Sequence, residues 1–176
     1  MPNYRRAFVP GGCWFFTVNL LDRRQRLLVE HVEPLRDAVV QTRRTYPFDI
    51  DAVVVLPDHL HAVWTLPSGD ADFSTRWRLI KTRFAKALPK QERLDAVREA
   101  RGERGVWQRR FWEHLIRDDA DYARHVEYCT INPVKHGLVM RVRDWPHSSF
   151  HRDVRRGIFP QDWAGDVDAI GEFGEA

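Results

Sequence analysis

The chain has 176 residues, 43% of them hydrophobic and 12% aromatic, with a formal net charge of +3 at neutral pH. This composition excludes a disordered protein, and the length suits one domain that buries a core without a disulfide or metal staple. No apolar run approaches the roughly 18 residues of a membrane span, and the first six residues (MPNYRR) lack a signal-peptide core; no membrane partner is expected, and the cytoplasm is the expected compartment.

The elements follow from pattern. Residues 13–21 (CWFFTVNLL) are aromatic and β-branched and read as a first strand. Val32, Leu35, Val39 and Val40 recur near a 3.6 period, so residues 30–46 form a helix that stops before Pro47. A Val-rich strand over 48–56, the turn signal Pro57-Asp58 and a strand over 59–66 (HLHAVWTL) make an antiparallel hairpin. Asp72 or Ser74 caps a basic amphipathic helix to about Leu88, with Trp77, Ile80, Phe84 and Leu88 on one face. Residues 89–105 are a charged, partly helical connector. Residues 106–116 read as the last core strand. Asp118 caps a final helix through Tyr122, His125 and Tyr128, ending near Asn132-Pro133. The order β-α-β-β-α-β-α fits an α+β, ferredoxin-like (RRM-like) antiparallel sheet with helices on one face. Residues 1–140 are taken as the domain and 141–176 as an irregular C-terminal extension ending in an acidic flexible tail.

Charge is unevenly spread. The last fifteen residues hold five acids and no Lys or Arg, which leaves a surplus of eight cations upstream. Between Arg76 and Arg110 there are twelve Lys/Arg against four acids. Such a segment suits a phosphate-rich partner or, equally, a solvated helix face. Cys13 and Cys129 lack metal-ligand spacing and read as ordinary reduced thiols.

His59 and His61 lie two apart on a predicted strand, so both imidazoles share one face while Leu60 points into the core. Two imidazoles so placed can bind a divalent cation with a third ligand, or can be a surface pair beside a turn. Tyr128 has Asn132 one turn on, on the same helix face. Spacing alone makes it a half-buried core residue, with Tyr122 and Tyr46 its equals.

Longer stretches carry a resemblance. Residues 57–64 (PDHLHAVW) look like the His-hydrophobic-His motif of the HUH single-tyrosine transposases, and residues 107–114 (WQRRFWEH) resemble that family's last-strand region. Residues 128–139 (YCTINPVKHGLV) resemble the Tyr-x-x-x-Asn-Pro-Val stretch of the REP-associated tyrosine transposases. Trp145, Ser148-Ser149-Phe150, Gly157 and Asp162-Trp163 resemble that subgroup's tail. The matches keep their order over most of residues 1–163. Cys129 replaces the usual aliphatic residue after the tyrosine, a change without chemical consequence.

The resemblance implies a transposase-like endonuclease and strand transferase that forms a 5′-phosphotyrosine intermediate. Tyr128 would be the nucleophile, and His59, His61 and Asn132 would hold Mg²⁺ or Mn²⁺. Pro133 disfavours helical geometry at Asn132 and makes its ligand role the least supported. The implied partner is single-stranded DNA or a hairpin, such as imperfect palindromic repeats. Arg76, Lys81, Arg83, Lys86, Arg109 and Arg110 are the candidate phosphate contacts. A monomer is favoured over a homodimer. Two other readings compete: a non-catalytic single-stranded nucleic-acid-binding module, and a His-dependent metal phosphodiesterase that uses water.

Overall fold

In the computed structural model, which describes residues 7–90, 96–169, 171, 173 and 174, four strands form one antiparallel sheet in the order β2-β3-β1-β4. These are β1 (Cys13–Asn19), β2 (Asp49–Val55), β3 (His59–Thr65) and β4 (Trp112–Leu115). The helices are α1 (Leu27–Glu30), α2 (Val32–Thr45), α3 (Phe73–Ala87), α4 (Ala96–Ala100), α5 (Asp119–Lys135) and α6 (Phe150–Arg155). This is the expected ferredoxin-like arrangement.

Both faces of the central strands are apolar, so both must be covered. Trp14, Phe16 and Val18 of β1 and Leu60, Ala62 and Trp64 of β3 meet α2 and α3 through Leu35, Ala38, Trp77, Ile80 and Phe84. The stacked Trp64–Trp77 pair, with ring centroids 4.1 Å apart, centres that layer. Burying such rings supplies the largest apolar contribution to the core. The alternate residues Phe15, Ala52, Val54 and Val63 face the other way, where Val126, Tyr128 and Ile131 of α5 cover them. Helices on one face therefore describes α2 and α3, whereas α5 lies on the opposite face.

Three local outcomes differ from the pattern. The last strand spans only 112–115, because Trp107 turns to the helical layer, packing on Phe84 at 5.3 Å and donating Nε1–H to the Lys81 carbonyl at 3.1 Å. Only an isolated Leu20–Trp107 bridge remains of the expected pairing upstream. The final helix does not end at Pro133 but runs through it to Lys135. Pro133 lacks one N–H, yet its carbonyl accepts from Leu138 and that of Asn132 from His136, and Gly137 closes the helix at a left-handed φ of 65°. Residues 141–169 pack onto the domain: 147–149 bond along β2 through Val55 N–H to His147 O, Ser149 N–H to Val53 O and Val53 N–H to Ser149 Oγ. Glu172 and Glu175 of the acidic end, and residues 91–95 of the connector, lie outside the described residues.

Candidate active site

The strand register builds the centre. Cross-strand pairing sets Thr17 of β1 opposite His61 of β3, and Thr17 Oγ1 lies 2.8 Å from His61 Nδ1. The same hydroxyl donates its one hydrogen to the carbonyl of Phe173 at 2.6 Å. It must then accept from His61 Nδ1–H, which puts the lone pair of that ring on Nε2. Asp58, in the turn before β3, lies 2.8 Å from His59 Nδ1, and Arg23 Nη2 approaches the same nitrogen at 3.3 Å. A carboxylate only accepts, so the shorter contact puts the His59 proton on Nδ1 and leaves the Arg23 approach a weak one. His59 Nε2 is buried and has no hydrogen-bond partner. Burial holds the His61 imidazole well below its usual range, with the neighbouring His59 and His136 acting in the same direction. His59 is lowered by burial too, against the opposing pull of Asp58. Burial raises the Asp58 carboxyl, but hydrogen bonds from His59 and Arg23 outweigh it and bring Asp58 to about 2. Both imidazoles are thus neutral at pH 7, as ligands must be.

Helix α5 brings Tyr128 to this pair. Its ring centroid is 5.1 Å from that of His61, and the two histidine rings are 5.0 Å apart. Tyr128 is fully buried; its hydroxyl accepts from Lys135 Nζ at 3.2 Å and from the Phe173 N–H at 3.4 Å. Tyr122 is exposed against Asp51, and Tyr46 lies near Arg76, so neither competes for the site. Because α5 continues through Pro133, Asn132 sits one helical turn below Tyr128 and is fully buried.

Sequence reading missed several members. Thr17 is visible only once the register is known, and Asp58 stood inside the quoted motif as a turn residue. His136, with its ring 5.0 Å from that of His59, and Lys135 follow from continuing the helix. Phe173 had no local signal at all. A second polar cluster lies nearby: His114 Nε2 bonds Asp121 Oδ2 at 2.8 Å, and His125 Nδ1 donates to the Asp121 carbonyl at 2.8 Å. Ligand atoms of these three residues fall within 4.8 Å of one another. In the structure the contacts tie β4 to the first half of α5.

The basic helix departs in part from the expected solvated face. Arg76 is buried, its guanidinium bonded to Asp70 and the Pro47 carbonyl at 2.7 Å and to the Asp72 carbonyl at 2.8 Å. Lys81 Nζ donates to the carbonyls of Gln108 and Arg109, and Arg83 to Thr42 Oγ1. Arg76 is therefore an internal strut, whereas Lys81 and Arg83 are half-exposed and tied to neighbouring segments of the chain. Lys86, Arg109 and Arg110 are exposed, with Arg109 paired to Glu103 at 2.8 Å.

No family model matches the chain. It is 53% identical over 167 residues, 95% of this chain and 93% of the relative, to the REP-associated tyrosine transposase of Escherichia coli strain K12. It is 49% identical over 169 residues, 96% of each chain, to a protein of Haemophilus influenzae given the same name as a candidate. A solved structure described as a REP-associated tyrosine transposase bound to a REP hairpin matches with a TM-score of 0.86 and 52% identity, over 100% of this chain and 98% of that one. With half its residues shared over nearly its whole length, the chain belongs to the REP-associated tyrosine transposases.

Proposed function

We propose that the protein nicks and rejoins single-stranded or hairpin DNA of the REP type, with Tyr128 as nucleophile. The observation that carries this reading is the Tyr128 ring seated 5.1 Å from the His61 ring, against a pair of neutral histidines. The residues fit a divalent cation, because both imidazoles keep their proton on Nδ1 and the buried His59 Nε2 lacks a hydrogen-bond partner. His59 and His61 would hold Mg²⁺ or Mn²⁺ through Nε2, with the Asn132 amide oxygen as third ligand. When bound, the ion supplies Lewis-acid polarisation of the scissile phosphate.

In the cleavage step Tyr128 Oη bonds to phosphorus while the bond from phosphorus to the 3′-oxygen breaks. The phenolic proton passes to solvent, and the departing 3′-oxygen takes one up. The products are a 5′-phosphotyrosine and a free 3′-OH, and the retained bond energy lets the reverse step rejoin strands without ATP. A free phenol titrates near 10 and is a poor nucleophile at neutral pH. Lys135 Nζ, already bonded to the hydroxyl, stabilises the charge that develops on that oxygen. Phe173 must move aside for a phosphate to reach Tyr128, since its N–H occupies the hydroxyl.

Of the candidate phosphate contacts, Lys86 and Arg110 are exposed and available to position the DNA backbone, and Arg109 would leave Glu103 to join them. The chain acts as a monomer in this reading, because the tyrosine helix meets the histidine pair of its own chain. No helix among the described residues is long and apolar enough to cross a membrane. Action on DNA places the proposed activity in the cytoplasm.

The test is a labelled hairpin oligonucleotide with single-stranded flanks, incubated with Mn²⁺ or Mg²⁺. A protease-sensitive, SDS-stable adduct is expected from the wild type and none from Tyr128→Phe. Cleavage without any adduct would replace the tyrosine by an activated water and overturn the reading.

A further inference from the structure

The ring of Phe173 is seated in a built pocket. Its centroid lies 4.5 Å from that of His125, 4.8 Å from that of Tyr128, 5.9 Å from that of Phe15 and 6.2 Å from that of Trp112. The next residue, Gly174, presses so closely on Trp112 that a Cβ there would stand 2.6 Å from the indole. The walls are aromatic on every side named. The His125 ring that borders this pocket carries an unsatisfied polar atom: the residue is 1% exposed, and its Nε2 is buried without a hydrogen-bond partner. His125 Nδ1 lies 2.8 Å from the Asp121 carbonyl, which can only accept, so Nε2 carries a lone pair that lacks a donor. A buried acceptor left unpaired is costly and points to a ligand that donates to it. A phenylalanine ring, having no N–H, fills the space and leaves that need unmet.

We propose that this pocket is a nucleobase subsite. It would seat a base flanking the scissile phosphate, packed among Phe15, Trp112 and Tyr128, with an N–H of the base edge donating to His125 Nε2. The occupant's size and place argue for a base. Phe173 is a planar ring whose own backbone N–H reaches the Tyr128 hydroxyl at 3.4 Å, so the ring sits one short linkage from the reacting oxygen. A nucleotide whose phosphate meets Tyr128 carries its base at a comparable remove. Every DNA base offers both a π-face for the aromatic walls and an edge N–H for the imidazole. The subsite rests on the reading of Tyr128 as nucleophile, and base and tail exclude each other from it.

The test uses the full chain and hairpin oligonucleotides in which each flank nucleotide in turn is made abasic, reading KM and kcat of Tyr128 adduct formation. At one position next to the cleaved bond, KM is expected to rise roughly tenfold, as loss of base–aromatic stacking does elsewhere. Phe173→Ala should lower KM for the intact oligonucleotide several-fold by removing the competitor. His125→Phe keeps a ring in place but removes the acceptor. It should raise KM for the intact oligonucleotide and leave that for the abasic one unchanged. A thermal melt like the wild type's shows that this variant is folded. Adduct formation with KM within twofold of the intact value at every abasic position overturns the subsite and spares Tyr128. Failure to form any Tyr128 adduct overturns the nucleophile and the subsite with it.

Discussion

Thr17 and His61 face each other across β1 and β3, and the Thr17 hydroxyl accepts from His61 Nδ1 while donating to the carbonyl of Phe173. One oxygen thus sets which nitrogen of His61 can ligate and at the same time anchors the residue that covers Tyr128. Removing such a supporting hydrogen bond from a ligand histidine commonly weakens metal affinity ten- to a hundredfold. Thr17→Val is expected to raise the Mn²⁺ concentration needed for half-maximal cleavage by about tenfold, with Thr17→Ser restoring it. A metal titration unchanged in the Val variant would show that the hydroxyl does not orient the ring.

Tyr128→Phe should abolish the adduct while hairpin affinity stays within a few-fold, since affinity comes mainly from phosphate contacts. Lost hydrogen bonds at a buried hydroxyl cost about 1 kcal/mol each, so the variant should fold. Residual adduct mapped to another tyrosine would move the nucleophile.

His59→Ala and His61→Ala are each expected to lose cleavage, and EDTA should do so reversibly in the wild type. Both variants cutting normally with Mg²⁺ present would reduce the pair to structural residues.

Acid should unfold the metal-free protein, and the sign follows from burial. The His61 ring is held well below 6.5 in the fold, whereas in the unfolded chain it titrates near that value. Below 6.5 the unfolded state therefore binds a proton that the folded state resists. Stability is full above 6.5 and is lost as pH falls toward the folded value. The melting temperature should drop between about pH 7.5 and pH 5, and Mn²⁺ should raise it at the higher pH more than at the lower, because protons compete for the same nitrogens. A flat profile would contradict the buried neutral rings.

The corrected arginine gives an opposed pair of outcomes. Arg76→Ala should destabilise the fold by about 2 kcal/mol, since it breaks a buried pair whose acid, Asp70, is partly solvated. Lys86→Glu with Arg110→Glu should leave the melt unchanged while lowering hairpin affinity and the slope of its salt dependence. Binding and slope as in the wild type would direct the DNA path elsewhere.

What the pattern disclosed was what depends on neighbours along the chain. Alternation put His59 and His61 on one face, period 3.6 drew α2 and α3, and Asp72 and Asp118 capped where caps are expected. Family likeness singled out Tyr128 from Tyr122 and Tyr46, which spacing could not. Contacts made across the fold stayed hidden. Arg76 looks solvated in sequence and is buried because Pro47 and Asp70 meet it from other segments. Thr17 needs the register, and Phe173 reaches Tyr128 across 45 residues. Pro133 predicts a helix stop, yet α5 runs on to Lys135, where the Asn132 and Pro133 carbonyls accept from His136 and Leu138.

The bonds that residues 147–149 make along β2 carry a consequence for solubility. β2 ends the sheet on that side, and an open strand edge of Val-rich backbone invites pairing with another molecule. The Val54–Ser148 bridge and the two backbone bonds beside it occupy that edge. A chain cut after residue 140 would retain His59, His61 and Tyr128 yet bare the strand, an edge open to pairing with a second molecule.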